Sequence, residues 1–348
     1  MPPHEELILG QRRAAPPNEA EIQELLSRDE ATRAWGESLE TLGAPEFEVA
    51  LPSAEELRPI LLDLAVPHED IGFLIGALPT RDGSPGQWWL LERCVHALIR
   101  TMGEIEGPPP FPALPESLGA LRQYLYVYVF VAVLPHVRAY HRARGIPDEV
   151  SRLTLADLGR NMAVHRHRYQ SGGLADADWL MLHFRGAIYQ LGRLQFERAT
   201  LGNRTGRAVA AAGQRYGPGD PALGIHIPAY YGPLTPEACD ASFAFARDFF
   251  SRHFPEETYA IGMCHSWLLD EQLAEYLPTE ANIIQFQRRF QPAYQPVEAD
   301  DEGTVRFVFG RSTTEPDELP RDTTLERAVG DHLRAGRHWY GGAGWLRL

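Results

Sequence analysis

The stretch that most limits what this chain can become is 222–255, ALGIHIPAYYGPLTPEACDASFAFARDFFSRHFP. Ile225 and Ile227 alternate with His226, which predicts a short strand over 223–227, ended by Pro228. Gly232-Pro233 forces a turn. Thr235 then caps a helix with Pro236 at its first position and Glu237 in its first turn, and Pro255 stops it. Cys239, Phe243, Ala246 and Phe250 fall at helical spacing and define a buried face. A strand feeding a helix through a tight loop turns N–H groups toward a shared space where an anion can sit. The same pattern also fits an ordinary strand–helix unit in which His226 is a surface or hydrogen-bonded core histidine.

The 348 residues suffice for two domains. A formal net charge of −14 argues against nucleic acid as a partner, since phosphate recognition needs a basic face. Cys94, Cys239 and Cys264 form no CxxC or Cys/His ligand spacing, so reduced thiols in a cytoplasm and no metal site are expected. The N-terminus, MPPHEELILGQRRAAPP, has no apolar signal core. The most apolar run, 124–135, has twelve residues, too few for a membrane span, and reads as a buried helix.

The first third is helical in pattern. Ser53 and Glu56 form a capping box, and Trp88, Leu91, Val95, Ile99 and Met102 make a helical stripe. Gly145-Ile146-Pro147 marks a boundary, dividing a helical domain, 1–146, from a second domain, 147–348. A helix is expected over 147–169. Beyond it the character changes: a strand over 187–199 bulged at Gly192, a Gly- and Arg-rich loop over 201–220, the strand and helix above, a strand over 258–267, short helices over 269–277 and 280–288, a strand over 304–309, and a helix capped by Thr323 and Glu326. Helices first and mixed strands and helices afterwards make an α+β, mixed α/β chain.

No GxSxG, Walker loop, HExxH or GxGxxG occurs. The run GIHIPAYYGPLTPEACDASFAFARDFFSRHFPEETYAIGMCHSWLLDEQLAEYLP, with NIIQFQRRF and DHLRAGRHW, resembles the two-domain bacterial acyltransferases that join a helical N-terminal domain to a GNAT-like C-terminal domain of the N-acyltransferase superfamily. The resemblance implies a mixed sheet flanked by helices. It implies an acyl thioester donor, either acyl-CoA or the phosphopantetheine of an acyl carrier protein, and as acceptor an amine of a small molecule or peptide. It further implies that the loop bearing Ile227, Ala229, Tyr230, Tyr231, Gly232, Leu234 and Thr235 holds the donor's phosphate, and that 259–266 flanks its pantetheine arm. The superfamily's Gln/Arg-x-x-Gly-x-Gly/Ala loop is replaced here by Tyr230-Tyr231-Gly232-Pro233-Leu234-Thr235. Pro233 has no N–H to donate, and Glu237 brings negative charge to the helix start.

Acyl transfer to an amine needs a base for the amine proton, a donor for the carbonyl oxygen and an acid for the leaving thiolate. His226 is the candidate base, since imidazole titrates near neutral pH and its strand borders the implied groove. Ser266 or His265 could protonate the thiolate, though such residues are more often simply structural. Cys264 is either a covalent relay or a buried inert thiol. Glu197 either acts through water or forms a surface ion pair. Two further readings stay open: a module that binds an acyl thioester or carrier protein without turnover, and a thioester hydrolase.

Overall fold

The computed structural model describes residues 16–119, 121–174, 176–310 and 315–348. Its first half is a helical bundle: α1 (Glu19–Arg28), α2 (Glu30–Leu42), α3 (Ala54–Asp63), α4 (His68–Gly76), α5 (Pro85–Arg100), α6 (Leu121–Ala143), α7 (Asp148–Leu155), α8 (Asp157–Tyr169) and α9 (Ala177–Phe184). Ser53 and Glu56 close the capping box of α3 reciprocally, satisfying two N–H groups that a helix start leaves orphaned. α6 runs through the middle. Its residues from Tyr124 to Leu134 are all buried, because neighbouring helices cover every side. Among the described residues no helix is long and apolar enough to cross a membrane. The helix expected over 147–169 is two, since the chain bends at Ala156 between α7 and α8.

The second half is a sheet: β1 (Ile188–Leu191), β2 (Leu194–Thr200), α10 (Asn203–Ala211), β3 (Pro221–His226), α11 (Pro236–His253), β4 (Ile261–Ser266), α12 (Asn282–Gln287), β5 (Gln291–Tyr294), α13 (Asp301–Phe309), α14 (Thr324–Arg334) and β6 (Gly342–Arg347). The strand order is β1-β2-β3-β4-β6-β5. Every neighbouring pair is antiparallel except β3 and β4. α11 covers one face, where Phe196, Leu223, Ile225 and Cys264 meet Phe243, Ala246 and Phe250. Near the other face, Val209 of α10 packs with Ala222, Ile261 and Trp345. Residues between β4 and β6 fold around a small core of their own, centred on Leu273, Ile284, Val305, Val329 and Trp339.

Four further sequence expectations are corrected. The bulged strand at 187–199 is a two-residue hairpin. Gly192, at φ 74°, supplies the left-handed position that joins β1 to β2. The loop at 201–220 contains α10. The strand expected over 304–309 is helical: Asp300 caps the Gly303 N–H at 3.0 Å, Val305 is buried, and Phe307 is exposed. Alternating Val and Phe over six residues does not separate a strand from one buried helical stripe. The expected set also lacked β5 and β6. β6 gains its identity only from partners far away in sequence.

Candidate active site

β3 and β4 run parallel, but their registered pairs are Leu223 with Gly262 and Gly224 with Met263 only. Both strands continue, β3 to His226 and β4 to Ser266. The two inner strands therefore part at their C-terminal ends, where facing backbone groups cease to bond each other and an extended amide-bearing chain could bond them instead.

His226 stands at that parting with its side chain 31 % exposed, so a ligand can reach it. Side-chain alternation sets His226, Gly224, Gln195 and Glu197 on one face, because Gln195 pairs with His226 and Glu197 with Gly224. The His226 Nε2 lies 2.8 Å from the Glu197 Oε2. The Trp179 ring meets the imidazole at 4.7 Å and 64°. Behind it Asp157 accepts from the Trp179 indole at 3.3 Å and from the Gln195 amide at 3.2 Å, and it lies 3.4 Å from the buried His183. Burial holds the His183 pKa below the usual imidazole value.

Of the other residues expected in the site, His265 shares the His226 face across the parting. Loss of hydration, then the charge of His226, lowers its pKa, and its Nδ1 is 3.3 Å from the Tyr294 hydroxyl. Cys264 and Ser266 alternate to the opposite face. Cys264 is sealed against the α11 core, and burial pushes its thiol up to about 12. A thiol so enclosed and so weakly ionised is no nucleophile, so the covalent relay is set aside. The Ser266 hydroxyl accepts from the Leu268 N–H at 3.1 Å and caps a short 3-10 turn.

The loop after β3 is held from both sides. Arg193, in the hairpin turn, donates to the Gly232 carbonyl at 2.8 Å and the Pro228 carbonyl at 3.0 Å. From α8, the Arg160 guanidinium packs over the Tyr231 ring at 4.6 Å, and the Tyr230 hydroxyl donates to the Arg160 carbonyl at 2.7 Å. Tyr231 takes φ 74°, a strained value for a residue with a Cβ. Ala229 and Gly232 are exposed, Ile227 packs at the rim of the sheet core, and Leu234 is buried. Thr235 caps α11 through the Ala238 N–H at 3.2 Å. Pro236 has no N–H, so the helix start offers fewer free donors than most. Among the described residues no cluster of His, Cys, Asp or Glu could hold a metal ion.

A family model described as an N-acyltransferase N-terminal domain matches residues 55–186, and one described as a GNAT-like C-terminal domain matches 188–346. A crystal structure of an acyltransferase mutant in complex with octanoyl-CoA is 42 % identical, covering 95 % of this chain and 100 % of that one with a TM-score of 0.86. This chain belongs to the two-domain GNAT-like acyltransferases. A second acyltransferase structure, in complex with decanoyl-CoA and teicoplanin, is also 42 % identical over 95 % of this chain and 100 % of that chain, with a TM-score of 0.84. A third holds CoA and 10C-teicoplanin, at 41 % identity, the same coverage and a TM-score of 0.84. A search of curated proteins finds no match. As an acyltransferase the chain is an enzyme, which removes the non-catalytic reading. Sequence reasoning missed Trp179, Arg193, Arg160 and the Asp157 network. Each comes from another element, and no local spacing announces it.

Proposed function

We propose that this acyltransferase moves an acyl group from acyl-CoA to an amine of a small molecule or peptide, with His226 taking the amine proton. The observation that carries the reading is the parting of β3 and β4 beyond Gly224 and Met263, with the His226–Glu197 pair at its edge. A pantetheine arm has two amides, which suit backbone edges no longer bonded to each other. The loop from Ile227 to Thr235, clamped by Arg193 and Arg160, would lie along the donor's phosphates. The amine attacks in its neutral form, His226 removes its proton, and His265 on the facing strand returns one to the thiolate. The structural neighbours solved with octanoyl-CoA and decanoyl-CoA support CoA as the carrier, and those with teicoplanin, a glycopeptide, support a peptide-like acceptor. Its three unpaired thiols support a reducing compartment such as the cytoplasm. Leu155, Leu158, Met162, Leu180 and Phe184 all pack into the helical core, so we draw the domain division near Ala187, beyond the 146 boundary read from sequence.

The test is incubation with octanoyl-CoA, or the same acyl group on a carrier protein, across a panel of amines that includes a glycopeptide, following free thiol and product mass. Thiol release from octanoyl-CoA that requires an amine, and is lost in His226→Ala while donor binding persists, is expected. Release without amine would instead mean hydrolysis, and release from the carrier protein alone would replace the donor.

A further inference from the structure

β2 and β3 place Glu197 opposite Gly224, two residues before His226. To reach the imidazole, the carboxylate must cross the position where residue 224 would carry a side chain. A Cβ built on Gly224 would lie 3.1 Å from the Glu197 Oε2 and 3.1 Å from the His226 Nε2, and 3.3 Å from the Glu197 Cβ. Those separations are tighter than ordinary carbon contacts, so the carboxylate and the ring would have to give by a few tenths of an ångström, at the point where their 2.8 Å contact is made. Gly224 has no left-handed φ and sits in a regular strand. Backbone freedom is therefore not what this glycine supplies; the missing side chain is.

Resting on the reading of His226 as the base, we infer that Glu197 decides which nitrogen of that ring works. Its carboxylate accepts the Nε2–H, so Nδ1 receives the amine proton, and Gly224 is the gap that admits the carboxylate. The ring also meets the Trp179 indole, itself anchored on Asp157. In the transfer, the amine nitrogen bonds the acyl carbon and the C–S bond breaks, its electron pair leaving on sulfur. The amine proton moves to Nδ1 while the Nε2 proton stays on the ring, facing Glu197. The thiolate then regains a proton from His265. Glu197 is thus a positioning residue, which fixes the tautomer and stabilises the imidazolium. Other charged or titratable groups near the pair are His183 of α9, with Asp157 of α8 beside it, His265 of β4, and Arg185 after α9, which faces Glu197.

The experiment is nitrogen-15 NMR of histidine-labelled protein across pH, with His226→Ala to assign the ring, on the wild type, Glu197→Gln and Gly224→Ala. The neutral ring is expected as the Nε2–H tautomer. Either variant should mix the tautomers, because the carboxylate that accepts the Nε2–H is withdrawn or shifted. Turnover should fall roughly 10- to 100-fold in each, with the KM for octanoyl-CoA nearly unchanged. The double variant should be no slower than Glu197→Gln alone, since both remove one contact. A neutral ring protonated on Nδ1, or a tautomer unchanged in both variants, would overturn the inference. The NMR result needs no acceptor. If the tautomer is as stated and His226→Ala still transfers acyl groups, the reading of His226 as the base fails, while the fixing of its tautomer by Glu197 stands.

Discussion

At the scale of single residues, Arg193 does most to hold the loop expected to carry the donor. It sits in a hairpin turn nearly 40 residues away, and its backbone N–H is itself fixed by the Ser242 hydroxyl at 2.7 Å. Its side chain is almost wholly buried, so its two carbonyl bonds are made out of water and are costly to lose. Arg193→Ala should leave the Gly232 and Pro228 carbonyls without that partner and let Tyr231 relax from its left-handed φ. The expected outcome is a KM for acyl-CoA raised about tenfold with kcat changed less than about threefold, the signature of lost donor binding. Steady-state kinetics with octanoyl-CoA at saturating acceptor read it. An equal fall in kcat with unchanged KM would move Arg193 from the donor loop to the chemistry.

At the scale of elements, the C-terminal strand closes the sheet. β6 lies between β4 and β5, so among the described residues β5 has no other strand neighbour. Asp270 receives the Tyr340 N–H at 2.8 Å and Asp301 the Trp339 N–H at 2.7 Å, which aims the chain into that slot. The entry is tight: a Cβ on Gly342 would meet the Leu269 backbone at 2.5 Å. Gly342→Ala must therefore push β6 away from the turn that follows β4. We expect a loss of about 1–3 kcal/mol, the usual cost of overpacking, seen as a midpoint shift in denaturant unfolding at unchanged slope. Gly341→Ala, with open space around its Cβ position, is the control and should be near neutral.

For the whole molecule, the helical half and the sheet are joined through buried polar groups. Arg198 of β2 donates to the Gly103 carbonyl beyond α5 at 2.7 Å and pairs with Glu257. His141 of α6 bonds the Ser151 hydroxyl of α7 at 2.8 Å and packs on the Tyr189 ring of β1 at 5.5 Å. Burial, then the charge of Arg138, pushes the His141 pKa down to about 4. The sign follows directly. Below the ordinary imidazole value of about 6.5 the unfolded chain binds a proton that the folded chain refuses, so stability is full above that pH and drains as pH falls toward 4. Between pH 7 and 5 the loss should be about 2 kcal/mol larger in the wild type than in His141→Gln, which does not titrate. Urea unfolding at the two values measures it, and equal slopes for both proteins would refute the assignment.

What the sequence determined by itself is local. Thr235-Pro236-Glu237, Ser53 with Glu56 and Thr323 with Glu326 start their helices where capping chemistry says they must. Ile225, His226 and Ile227 alternate because a strand's faces alternate. These are short-range constraints, satisfied within a turn or a pleat, and so are readable residue by residue. The motifs around 223–266 carried the resemblance to an acyltransferase and marked His226, Glu197 and His265 as residues of interest. Only the tertiary structure decided how these meet. It set Glu197 over Gly224, put Cys264 and Ser266 on the far face, brought Trp179 and Arg193 to the site, and slid the last strand beside β4. Each of these depends on strand register and on packing between elements far apart in the chain, where no local free-energy preference selects the partner.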